Sequence, residues 1–172
     1  LRTAVHHFFA SKGIDPCMTE GLLWYSDELD RVGFMQNGSM MARALHPDRF
    51  PKWALYGASM PQYVAGDSLS DVVLVEDILS ALKVNYATGR TAVAVLGTSL
   101  KAETKLLLSE TQTALVMLDG DPAGRQGSIP MLREVRFLGA NARIALTPRG
   151  LDPKDLTLSR IRNLIPCPTE LN

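Results

Sequence analysis

A chain of 172 residues, 46% apolar and 21% charged, has enough material for one buried core plus a small appended subdomain. No apolar run reaches the ~18 residues of a membrane-spanning helix, and two distant cysteines, Cys17 and Cys167, exclude a disulfide framework or a four-cysteine zinc site and suit a reducing cytoplasm. A net charge of zero argues against a protein that coats nucleic acid by bulk charge.

The chain opens on Leu1 with no charged-then-apolar leader, so secretion is not expected and the sequence reads as an excised part of a longer polypeptide. Val5, Phe8 and Phe9 fall at helical spacing within residues 2–11, and Gly13 supplies a stop, which predicts a short opening helix. The adjacent His6 and His7 point in different directions on such a helix and cannot share a metal. From Leu22 to Val64 the pattern shortens to LLWYS, RVGFMQ and SMMARAL, the last two joined by Asn37-Gly38. Asn-Gly accepts the positive φ angles of a type I′ turn, so an antiparallel hairpin is expected there. His46 to Gly66 contains three prolines and reads as irregular connection with a short strand at WALYG. Residues 1–66 are therefore read as a helix plus a small antiparallel, β-rich subdomain.

After Gly66 unbroken apolar runs (VVLV 72–75, AVAVL 92–96, ALVML 114–118, ARIAL 142–146) alternate with segments long enough to be helices. Such runs suit strands buried on both faces of a parallel sheet, and the intervening ILSALKVNYA, LKAETKLLLS and GSIPMLREVRFLG suit crossover helices. Residues 67–172 are read as an open, mostly parallel α/β sheet flanked by helices, with DLTLSRIRNLI as a final amphipathic helix.

Ligands of an open parallel sheet collect beyond the carboxyl ends of its strands. Acids follow the runs there: Glu76 after the first, Asp119 and Asp121 after the third, Asp152 and Asp155 after the last. Several carboxylates at one rim repel each other, which bound cations relieve, and an oxygen-only donor set favours Mg²⁺ or Mn²⁺ over zinc. One or two such ions could serve phosphoryl or nucleotidyl transfer. The competing readings are structural: Glu76 as a first-turn acid favoured by the helix dipole, Asp119 to Ala123 as a turn, and Asp152-Pro153 as a helix start. Charge is uneven in a way that suits a metal site holding a polyanion. Eight acids face four bases between Asp67 and Asp121, and eight bases face three acids between Arg125 and Arg162.

VEDILSALKV, then MLDGDPAGRQGS, then GLDPKDL resembles the TOPRIM signature of a Glu, a later Asp-x-Asp and a downstream acid. DGDPAGR resembles the form found in bacterial replicative primases and phage primase-helicases. The resemblance covers roughly residues 70–156 and implies a Rossmann-like TOPRIM sheet in a DNA primase, a Mg²⁺- or Mn²⁺-dependent nucleotidyltransferase making RNA primers from NTPs on single-stranded DNA. It implies Glu76, Asp119 and Asp121 as catalytic residues, and the same three with Asp155 as metal ligands, Asp152 competing with Asp155 for that place.

Upstream, RVGFMQNGSMMARALHPDRFPKWALYG resembles the β-rich subdomain that precedes TOPRIM in primases, with Lys52 in the position of a residue that faces template or nucleotide. Arg43 and Arg125 are the further expected nucleotide- or DNA-binding residues, solvated charge and packing on the sheet being their rival roles. A bacterial or phage-encoded cytoplasmic protein, with a replicative helicase as fused or separate partner, is implied. These residues contain neither a cysteine-rich zinc module nor a P-loop. The alternatives are a TOPRIM nuclease using the same acids, or a non-catalytic nucleic-acid-binding module.

Overall fold

The computed structural model describes residues 3–15 and 23–165; Cys17 and Cys167 lie outside them. The fold divides into two compact units, residues 1–60 and 61–172.

In the first unit α1 (Thr3–Ser11) buries Val5, Phe8 and Phe9, the three residues at helical spacing, and leaves His6 and His7 exposed. Strands β1 (Leu23–Ser26), β2 (Arg31–Gln36), β3 (Ser39–Ala44) and β4 (Trp53–Tyr56) form one antiparallel sheet in sequence order. The β2–β3 hairpin turns at Asn37 and Gly38, with φ of 50° and 74°, and pairs Gln36 with Ser39. These are the positive angles that the Asn-Gly pair tolerates at low cost. Phe9 meets Phe34 edge-on at 6.3 Å and Phe34 lies 6.0 Å from Trp53, which ties the helix to the sheet through rings.

The second unit is a five-stranded sheet of order β5-β7-β6-β8-β9: β5 (Tyr63–Ala65), β6 (Asp71–Val75), β7 (Thr91–Ala94), β8 (Thr113–Val116) and β9 (Asn141–Ile144). All neighbours are parallel except the β5–β7 pair. β5 arises within the stretch expected to be irregular. Three residues flanked by proline and glycine carry too little periodicity to announce a strand. The helices are α2 (Ile78–Thr88), α3 (Ala102–Leu108), α4 (Pro122–Phe137) and α5 (Leu158–Leu164). Val72, Leu74, Val93, Ala114 and Val116 pack with Leu108 of α3 and with Met131 and Val135 of α4. α2 packs on β5, β6 and β7 and against α5. Burial from both sides explains why β6 to β8 read as continuous apolar runs rather than alternating ones. No helix among the described residues is long and apolar enough to cross a membrane.

Candidate metal centre

β6 hands directly into α2 through Glu76 and Asp77. Asp77 caps the helix, its Oδ1 accepting from the backbone N–H of Leu79 at 2.9 Å and of Ser80 at 3.1 Å. Glu76 turns the other way, and its Oε1 accepts from the Asp119 N–H at 3.0 Å. One carboxylate thus builds the helix start while its neighbour ties β6 to the loop after β8.

That loop is the Asp119-Gly120-Asp121 segment, and it is packed tightly enough to dictate its glycines. A Cβ on Gly120 would fall 1.9 Å from the Pro148 carbonyl oxygen, and one on Gly124 would fall 2.3 Å from the Asp119 carbonyl oxygen and 2.6 Å from Glu76 Oε1. Gly120 is also tied to the next loop, donating to the Leu151 carbonyl at 2.8 Å. Asp121 caps α4, accepting from Gly124 N–H at 2.8 Å, with Pro122 opening the helix. Arg125 braces the same turn, donating to the carbonyls of Gly120 at 3.2 Å and Thr147 at 3.1 Å.

After β9 the chain returns to this rim through Asp152 and a single 3-10 turn, Pro153–Asp155. Asp155 is exposed and its Oδ2 accepts from Asp152 N–H at 3.0 Å. Lys154 donates to Asp77 Oδ2 at 2.8 Å and, by a short contact, to Asp152 Oδ2. Carboxylate oxygens of Asp77, Asp119 and Asp152 lie within 4.8 Å of one another, and each residue is half-buried.

The electrostatics follow from that crowding. Burial first, then the charges of Asp152 and Glu76, push the Asp119 carboxyl up to about 8 against the opposing pull of Lys154. Glu76 is raised as well, chiefly by burial and then by Asp121, Asp152 and Asp77, with the Asp119 N–H opposing. Burial alone would lower the Lys154 ammonium, yet Asp77 and Asp152 hold it above its usual range. Asp119 Oδ1 is buried and has no hydrogen-bond partner. A buried oxygen without a partner, at a rim where burial raises the Asp119 and Glu76 carboxyls, fits a hard divalent cation.

A separate cationic feature lies within the first unit. A cleft of about 450 Å³ is lined by Lys12, Arg43, His46, Arg49 and Lys52, with Phe8 among its apolar walls. The Arg43 guanidinium lies over the Phe8 ring at 5.8 Å and the Trp53 ring at 5.5 Å. Arg31 takes no part in the cleft; it is 4% exposed and donates to the carbonyls of Pro51 and Ala42.

Residues 74–157 match the family model described as Toprim-like. A DNA primase of Staphylococcus epidermidis is 31% identical over 86 residues, 49% of this chain and 14% of that protein. The primase of Aquifex aeolicus, solved with its zinc-binding and RNA polymerase domains, superposes with a TM-score of 0.73 at 19% identity over 95% of this chain and 55% of the other. A DnaG primase catalytic domain bound to single-stranded DNA gives 0.68 at 19% identity, over 94% and 68%. Within the second unit, residues 74–157 are Toprim-like, and the relatives that they resemble are named DNA primases.

The rim ties Glu76 to the Asp119 backbone N–H but leaves Glu76, Asp121 and Asp155 outside the group of three close carboxylates, Asp121 at the start of α4 and Asp155 at the end of the 3-10 turn. That group instead contains Asp152 and Asp77. Sequence reasoning passed over Asp77, since an Asp before a helical run is what a cap looks like. Asp77 is that cap as well; only its second oxygen turns to the rim. The available signal was the adjacency of two acids, Glu76-Asp77, at one strand end.

Proposed function

We propose that this chain is the catalytic core of a DNA primase, which joins NTPs into RNA primers on single-stranded DNA with Mg²⁺ or Mn²⁺. The observation that carries the reading is the buried, unpartnered Asp119 Oδ1 at the carboxyl rim of a TOPRIM sheet, beside Glu76, Asp77 and Asp152. The matched relatives named DNA primase, and the neighbour described as bound to single-stranded DNA, support it.

When bound, a divalent ion supplies charge stabilisation at the transferring phosphoryl group and makes the attacking 3′-hydroxyl more acidic. The residues around it divide the remaining work. Asp119 and Asp152, with the outer acids Asp121 and Asp155, offer hard oxygen donors. Glu76, raised from its usual range, accepts the 3′-hydroxyl proton at its carboxylate. Arg125 fixes the Gly120 turn and directs its remaining N–H groups to the nucleotide triphosphate. In the first unit Lys52 and Arg43 receive template or nucleotide phosphates in the basic cleft, while the acids that perform the chemistry belong to the second unit. A bacterial cytoplasm, of phage or host encoding, and a replicative helicase as partner follow from the same reading.

Incubating the chain with single-stranded DNA, Mn²⁺ and labelled NTPs tests it. Labelled oligoribonucleotides that vanish in Asp119→Asn are expected. Shortened DNA in their place would make the protein a nuclease, and no product of either kind would make it a binding module.

A further inference from the structure

Lys154 stands where a cation would be expected. Its ammonium bridges Asp77 Oδ2 and Asp152 Oδ2, two of the three carboxylates whose oxygens converge. We propose that Lys154 is a resident cation that takes one of two cation places at the rim, so that the site loads a single divalent ion on the Asp119 side. The inference rests on the metal-binding reading above and specifies the stoichiometry of that site.

Three features separate this lysine from a surface ion pair. Its side chain is only 15% exposed. It is anchored from behind, since its backbone carbonyl accepts from Lys83 Nζ at 2.7 Å, and Lys83 is itself 3% exposed. The preceding Pro153 is buried and opens the 3-10 turn that presents the side chain. Lys154 therefore cannot leave the rim by a simple swing into water without breaking two ion pairs.

The remaining donors point the same way. Asp77 is fully used, Oδ1 accepting from the Leu79 and Ser80 N–H groups and Oδ2 from the Ser80 hydroxyl and Lys154. Asp119 Oδ1 is left over. A dication placed between Asp77 and Asp152 would sit in contact with the ammonium, where repulsion between like charges in a half-buried site is strong. A dication on Asp119 Oδ1 also feels the Lys154 charge, but it displaces no ion pair or hydrogen bond of that oxygen. An ammonium supplies charge but no Lewis acidity, so Lys154 steadies the rim while the polarising work falls to the one ion.

Mn²⁺ titration of the full 172-residue chain, followed by electron paramagnetic resonance, tests this in the folded protein. Wild type is expected to bind one rim Mn²⁺ that is lost in Asp119→Asn. Lys154→Gln is expected to bind two, with the spectral signature of spin-coupled ions, and Lys154→Arg, which keeps the charge, to return to one. Two coupled ions in wild type overturn the proposal, as does a single ion in Lys154→Gln whose circular dichroism shows it folded. If wild type binds no ion that Asp119→Asn removes, the metal-centre reading fails with it. That result is distinct from failure of the lysine's role alone.

Discussion

In the antiparallel sheet of the first unit, cations are either spent internally or set around an open cleft, whereas in the second unit anions are gathered at one rim and left short of partners. Arg31 donates to two backbone carbonyls, and Arg43, at the cleft, lies against two rings. At the rim, Lys154 answers Asp77 and Asp152, but Asp119 Oδ1 stays unpartnered and its carboxyl is pushed up to about 8. The difference teaches where to look for function in a chain of zero net charge: local imbalance that the fold leaves uncorrected says more than the sum.

If the rim performs the chemistry and the cleft only holds phosphates, substitutions in the two units should separate rate from affinity. Asp119→Asn is expected to lower primer synthesis on the order of 10³-fold while leaving the Kd for single-stranded DNA within about two-fold, read by product formation and fluorescence anisotropy. Equal losses in both would erase the distinction. Gly124→Ala, which drives a Cβ into Asp119 and Glu76, should destabilise the fold by about 2–4 kcal/mol in urea denaturation.

The cleft should respond in the opposite sense. Arg49→Ala with Lys52→Ala is expected to weaken single-stranded DNA binding about ten-fold and to reduce the salt dependence by about one to two phosphate contacts, with turnover at saturating template nearly intact.

Protonation supplies a subtler contrast. Asp119 has a folded-state pKa raised from 3.8 to about 8, so its protonated form is the one favoured by folding. That stability is complete below about pH 4 and is lost as pH rises toward 8. The metal-free protein should lose a few degrees of Tm across that window, Mg²⁺ should restore them, and Asp119→Asn should flatten the curve. Smallest of all, Gly38→Ala, with φ of 74° and open space around it, should cost about 1 kcal/mol in the hairpin and leave metal binding untouched.

Much of the fold was legible because burial leaves a periodic trace. Apolar runs announced β6 to β9, Asn37-Gly38 announced the hairpin, and the spacing of Val5, Phe8 and Phe9 announced α1. β5 was not announced, because a three-residue edge strand is defined by the β7 partner it pairs with and not by its own pattern. At the site, the placing of Glu76 and the Asp119 loop at one rim followed from their positions after the apolar runs, but that β6 and β8 are neighbours, and the choice between Asp152 and Asp155, did not. Asp-Pro-Lys-Asp satisfies either assignment locally, and only the turn that aims Lys154 at Asp77 and Asp152 turns Asp155 outward.

By itself the sequence determined which residues are buried, where the chain turns and that acids follow the strands, since these depend on neighbours a few positions away. Tertiary structure decided which carboxylates share a cation, that Asp77 serves helix and rim at once, and that a lysine stands among them. Those outcomes depend on distances of a few ångströms between segments some 40 to 80 residues apart, where Coulomb energy changes steeply and sequence spacing carries no information.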